Sequence, residues 1–164
     1  MRPMHLTLAL LAGCGDKAED PYAHTAGGYA ISFDSSSDDC DFETVSVRLD
    51  PIATAVEADS AAGTMGVDFD DGDQVLDCAL DINDFDCPAV DLYDTDLSSQ
   101  GKDAVVTVSF GLMGAWTSDT AFSGTYTYGF SCSGPDCGDL GGTAYGADAA
   151  LPCAITGAFS AALD

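Results

Sequence analysis

The chain has 164 residues and a formal net charge of −24, from 28 acidic residues against 4 basic ones. Glu19, Glu43 and Glu57 are its glutamates, so nearly all of the acid is aspartate. A nucleic-acid partner needs a basic surface that displaces counterions, and this balance excludes one; the length suits a single domain with one core.

Read from the N-terminus, Arg2 is followed by an apolar run from Leu6 to Leu11 and then by Leu11-Ala12-Gly13-Cys14. A basic start, an apolar middle and small residues form the order of an export signal. The run is far short of the ~20 residues that cross a bilayer. This segment resembles the signal peptide of a bacterial lipoprotein, and the tetrad matches the lipobox at all four positions. The resemblance implies that residues 1–13 are removed and that Cys14 becomes a lipidated N-terminus. It also implies more than one acyl chain, which anchors firmly where a single chain does not. The expected location is the bacterial cell envelope, extracytoplasmic, on the outer membrane in preference to the inner, with the lipid as the contact to the membrane. Residues 14–27, small and polar with one proline, read as a flexible tether. Residues 28–164 read as the folded domain.

From Gly28 onward the dominant signal is period two, the mark of half-buried strands. Tyr29, Ile31 and Phe33 alternate with small or polar neighbours, as do Val45, Val47 and Leu49. The same holds for Met65 to Phe69, Leu76 to Ile82, Val106 to Leu112, Tyr126 to Cys132 and Cys153 to Leu163. An eighth strand is a weaker expectation over 140–146. Residues 52–62 (IATAVEADSAA) are alanine-rich and read as a helical turn or a loop. The turn at Asp71-Gly72 sets Val67 opposite Leu76 and Met65 opposite Cys78, with both apolar sets on one side. Many short strands with turn signals predict an all-β domain, a small antiparallel sandwich or closed barrel of seven or eight strands.

Setting Cys14 aside leaves Cys40, Cys78, Cys87, Cys132, Cys137 and Cys153. An even count in an exported chain predicts three disulfides; no C-x2-C pair is present to suggest zinc. If the first and last strands are antiparallel neighbours, Cys40 and Cys153 lie at the same end of the sheet. That leaves Cys78–Cys87 and Cys132–Cys137 as local pairs, the second clasping a turn at Ser133-Gly134-Pro135-Asp136.

The chemistry on offer is narrow. After Cys14 the one histidine is His24, inside the expected tether, and neither Gly-x-Ser-x-Gly nor a phosphate-binding loop occurs. The chain therefore reads as non-enzymatic, a binding or structural module with no resident cofactor. One alternative is a calcium-dependent module. Aspartates cluster at 34–41, 68–73 and 81–96, and calcium takes six to eight oxygen ligands. The richest set is Asp81, Asn83, Asp84, Asp86, Asp91, Asp94 and Asp96, read as a loop. It misses the EF-hand spacing, because Phe85 and Asp86 hold the places of an oxygen ligand and glycine. The second alternative is a small-ligand carrier, a barrel with a lipocalin-like cavity. Tyr29, Phe33, Phe69, Phe110, Trp116, Tyr126, Tyr128 and Phe130 would line it.

Overall fold

The structure, a computed structural model, describes residues 22–42, 52–69 and 74–164. Among them eight strands follow in order: β1 (Gly27–Asp38), β2 (Ile52–Asp59), β3 (Thr64–Phe69), β4 (Gln74–Asp81), β5 (Asp84–Asp96), β6 (Val105–Ser118), β7 (Ala121–Ser133) and β8 (Cys153–Leu163). Each pairs antiparallel with the next, and β8 returns to β1, so the sheet closes into an up-and-down barrel. Closure gives the first and last strands each other as partners and so removes the exposed edges of an open sheet.

Period two is what lets this sequence close. Successive side chains on a strand point to opposite faces. Tyr29 and Ile31 on β1, Val67 on β3, Leu76 on β4, Val106 on β6 and Tyr126 on β7 are all buried. Register carries the pattern from strand to strand. Met65 faces Cys78, Cys87 faces Leu112, and Leu112 faces Tyr126, which forms one inward row around the wall. The β3–β4 register is the one expected, with Val67 opposite Leu76 and Met65 opposite Cys78. The turn at Asp71-Gly72 and the expected strand at 45–49 lie outside the described residues.

Three expectations are corrected. Residues 52–59 form β2, paired with both β1 and β3, not a helical turn. Thr54 and Val56 are buried while Ala55 and Glu57 are exposed, so the alanines sit in an alternating strand. Residues 140–146 are turns and bends, not an eighth strand. Leu140 and Tyr145 are buried there by packing on a second apolar cluster with Val106, Phe130 and Ile155. Residues 84–96, read as a loop, form β5. A bulge between Cys87 and Val90 and another between Asp91 and Tyr93 interrupt its alternation.

The barrel is closed differently at its two ends. At one end the excursion between β7 and β8 folds over the opening. Phe42 stacks edge-on against Phe130 and Tyr145, with ring centroids 4.8 and 5.2 Å apart. Asp136 accepts the Asp103 N–H at 2.7 Å, and Lys102 reaches Asp139 at 3.4 Å. At the other end residues 22–26 lie as a strap across the turns joining β2–β3, β4–β5 and β6–β7. The part of the expected tether that is described, from Tyr22 to Gly27, is thus docked on the barrel or paired in β1.

Charge divides the outer wall. β6, β7 and β8 contain no Asp, Glu, Lys or Arg; their outward positions are mostly Ser, Thr, Gly and Ala, with Val105 and Met113 among them. β2 to β5 carry Glu57, Asp59, Asp68, Asp77, Asp81 and the five aspartates of β5. One wall is strongly acidic and the opposite wall is an uncharged hydroxyl-rich sheet.

Candidate functional site

The three disulfides join Cys40 to Cys153, Cys78 to Cys87 and Cys132 to Cys137. Each follows from strand placement. Cys40 comes just after β1 and Cys153 opens β8, and Asp38 faces Ile155 where those strands meet. Cys78 and Cys87 sit one step beyond the Ala79–Asp86 pair of β4 and β5, with Cα atoms 3.9 Å apart. Cys132 lies one residue before the end of β7, and a short 3₁₀ turn, Pro135–Gly138, brings Cys137 back to it. Cys14 lies outside the described residues.

The aspartate set is not gathered in a loop. Asp81 ends β4, Asn83 is in the tight turn that follows, and Asp84, Asp86, Asp91, Asp94 and Asp96 are strung along β5. Asp84 and Asp86 point outward while Phe85 and Cys87 between and after them are buried. An extended strand spaces its carboxylates along one wall instead of folding them around a point. Some already have local duties. Asp94 accepts the Thr107 hydroxyl at 2.6 Å. Asp96 accepts the Ser98 N–H at 2.8 Å, which holds its carboxyl below the usual range. Among the described residues, no three His, Cys, Asp or Glu side chains are grouped to hold a metal.

The aromatic residues expected to line a cavity touch one another inside the barrel, some across the lumen and some along its wall. Phe33 stands edge-on to Tyr126 with centroids 5.0 Å apart, Phe69 edge-on to Phe110 at 5.5 Å, and Phe110 packs on Tyr128 at 4.6 Å. Tyr29, Phe122 and Phe159 continue the contacts toward the strap. Such ring pairs add about 0.5–1.5 kcal/mol each beyond burial. Phe130 belongs to the second cluster at the capped end. Burial, with the neighbouring Tyr93 and Tyr126 phenols, pushes the Tyr128 phenol above its ordinary range.

The outer surface has shallow grooves. One of about 500 Å³ runs over β2 to β4, where Gly66 lies between Glu57 and Asp77 and Val75 forms a side. Another of about 250 Å³ lies beside Met113 where β5 meets the uncharged wall, over Gly111 and Ala89.

The most built polar environment is at the strap, and local sequence carried no signal for it. His24 is 4% exposed. Its ring packs on Trp116 with centroids 4.8 Å apart, its Nδ1 is 2.8 Å from Ser60 Oγ, and its Nε2 is 3.3 Å from Asn83 Oδ1. Those partners come from three different turns or strands, so no spacing near residue 24 announces them. Compared with family models, curated proteins and solved structures, the chain matches none.

Proposed function

We propose that this protein is a non-enzymatic binding module of the bacterial cell envelope, held on the extracytoplasmic side by lipid on Cys14. Three disulfides in one small barrel accord with an oxidising, extracytoplasmic compartment. The observation that carries the reading is the lumen itself. It is crossed by ring-on-ring contacts, from Phe33 and Tyr126 to Phe85 and Phe159. A lumen so filled leaves recognition to the outer wall and the mouth. The acidic wall of β2 to β5 is repelled by anionic headgroups and so faces away from them. The lipobox tetrad supplies the anchor by its resemblance to lipoproteins.

The test is fractionation of the full-length chain expressed in a bacterium. The wild type partitions into detergent with the membrane fraction, and Cys14→Ser is released or keeps its leader. A soluble wild type with an intact leader would overturn the anchor.

A further inference from the structure

The strap at the barrel mouth places a single side chain in a shaped polar environment. Tyr22, Ala23 and the flanking backbone lie at the surface, yet the His24 ring is buried. Trp116 forms the floor beneath it. Trp116 is itself propped by Tyr29, edge-on at 5.9 Å, and by Phe122 at 5.1 Å.

The hydrogen bonds set the chemistry. The Tyr22 N–H donates to Asn83 Oδ1 at 2.9 Å, so that atom is the amide oxygen, an acceptor. His24 Nε2, facing the same oxygen, is therefore its donor. In the neutral ring Nδ1 is then the acceptor, and the Ser60 hydroxyl donates to it. An aromatic floor with an amide acceptor on one side and a hydroxyl on the other is the complement of an imidazole ring.

Beside the two His24 contacts, the strap is held by the Tyr22 N–H on Asn83 and by three further bonds. Ala23 N–H donates to the Asp119 carboxylate, Thr25 N–H to the Asp119 carbonyl, and the Tyr29 hydroxyl to the Thr25 carbonyl. The Tyr22 and Ala23 bonds are exposed, and chain held partly by surface bonds at the rim of a fold opens more readily than its core strands. His24 reaches the socket through a left-handed backbone, φ 45°, and the opposing turn holds Ile82 at φ 56°, a conformation that β-branched residues rarely adopt. Trp116 Nε1 is buried with no hydrogen-bond partner among the described residues, an unused donor on the indole that floors the socket.

We propose that the barrel mouth is an imidazole-binding socket, which His24 fills in cis and which takes an imidazole ring in trans when the strap lifts. The ligand is an imidazole ring, free or as a histidine in another chain. The socket is independent of the lipid at Cys14.

Trp116 is the one tryptophan, so its emission reports the socket directly. In full-length His24→Ala, imidazole is expected to return the Trp116 emission saturably toward that of the wild type. 1-Methylimidazole, without the N–H that Asn83 accepts, should bind about tenfold more weakly, and adding Asn83→Ala should weaken imidazole by a similar factor. A peptide of residues 22–26 separates the two sources. Binding of the peptide alone identifies a histidine-bearing chain as ligand, and binding of both identifies the ring. No response to either probe, or an imidazole response that ignores the methyl group and Asn83, overturns the proposal. Should His24→Ala fail to fold, Asp119→Ala removes the carboxylate that holds Ala23 and loosens the strap while leaving the socket residues intact. Added imidazole must then move the His24 ring resonances to those of free histidine; resonances that stay in place overturn it equally.

Discussion

Gly114 on β6 and Gly124 on β7 stand opposite each other with no room between the strands for a side chain. A Cβ on Gly124 would run into the Met113 carbonyl and the Gly114 Cα, and one on Gly114 would meet the Ser123 carbonyl. The same cross-strand row continues to Phe85 on β5 and Phe159 on β8. Bare backbone at the two glycines leaves lumen that the rings of Phe85, Phe122 and Phe159 share. Gly124→Ala should therefore force the strands apart at a cost of about 1–3 kcal/mol, the usual range for overpacking. Urea denaturation checks it, and an unchanged midpoint would show that the strands are not so close.

The disulfides should contribute unequally. Cys40–Cys153 spans a sequence separation of 113, Cys132–Cys137 one of 5. The chain-entropy relation gives about 5 kcal/mol for the long link and about 2 for the short one. Paired alanine substitution at Cys40 and Cys153 should lower the denaturation midpoint well below that of the Cys132 and Cys137 pair. The reverse order would mean that the long link acts on native strain instead.

Asp139 should titrate below the ordinary aspartate range. The Gly141 N–H on its carboxylate is the main cause and Lys102 the next. A depressed folded pKa favours the charged form, so its stabilising effect is present above the ordinary carboxylate range and is lost as pH falls through the folded value. Carboxyl carbon chemical shifts followed against pH should show that low midpoint. Lys102→Met should raise it part of the way only, because the Gly141 contact remains.

Calcium should act on this barrel as a salt. Asp84 and Asp86 point outward from an extended strand, and the neighbouring Asn83 oxygen already serves Tyr22 and His24. Thermal melts in calcium should match melts in magnesium at equal ionic strength, since both screen the acidic wall. Asp84→Ala with Asp86→Ala should leave that equality intact. A rise specific to calcium, lost in the double variant, would reveal a true site by mass action.

Where large inward residues alternate without interruption, the strands were legible in the sequence. Tyr29-Ile31-Phe33 and Leu76-Cys78-Leu80 alternate with contrast enough to name their strands and their register. In β2 the contrast fails, because Ala53, Ala55 and Ala58 are equally at home in a helix. In β5 two bulges break the period and aspartate's turn preference masks the strand. Segment 140–146 shows the opposite error: Leu140 and Tyr145 are apolar because they cap the barrel end, with no sheet to join. The Cys40–Cys153 pairing was legible because it needs only strand order. The His24 socket was not, since Ser60, Asn83 and Trp116 meet it only after closure brings three distant pieces of chain together.

The Cys40–Cys153 link also makes a covalent ring of most of the barrel. A protease that cuts once anywhere between those residues, for instance in the turn at Ser98–Gln100, liberates nothing. Each fragment keeps one half of the bridge, and the paired strands hold the cut ends in register. A protein built this way can be nicked without losing a fragment, so its persistence is set by the second cut and not by the first.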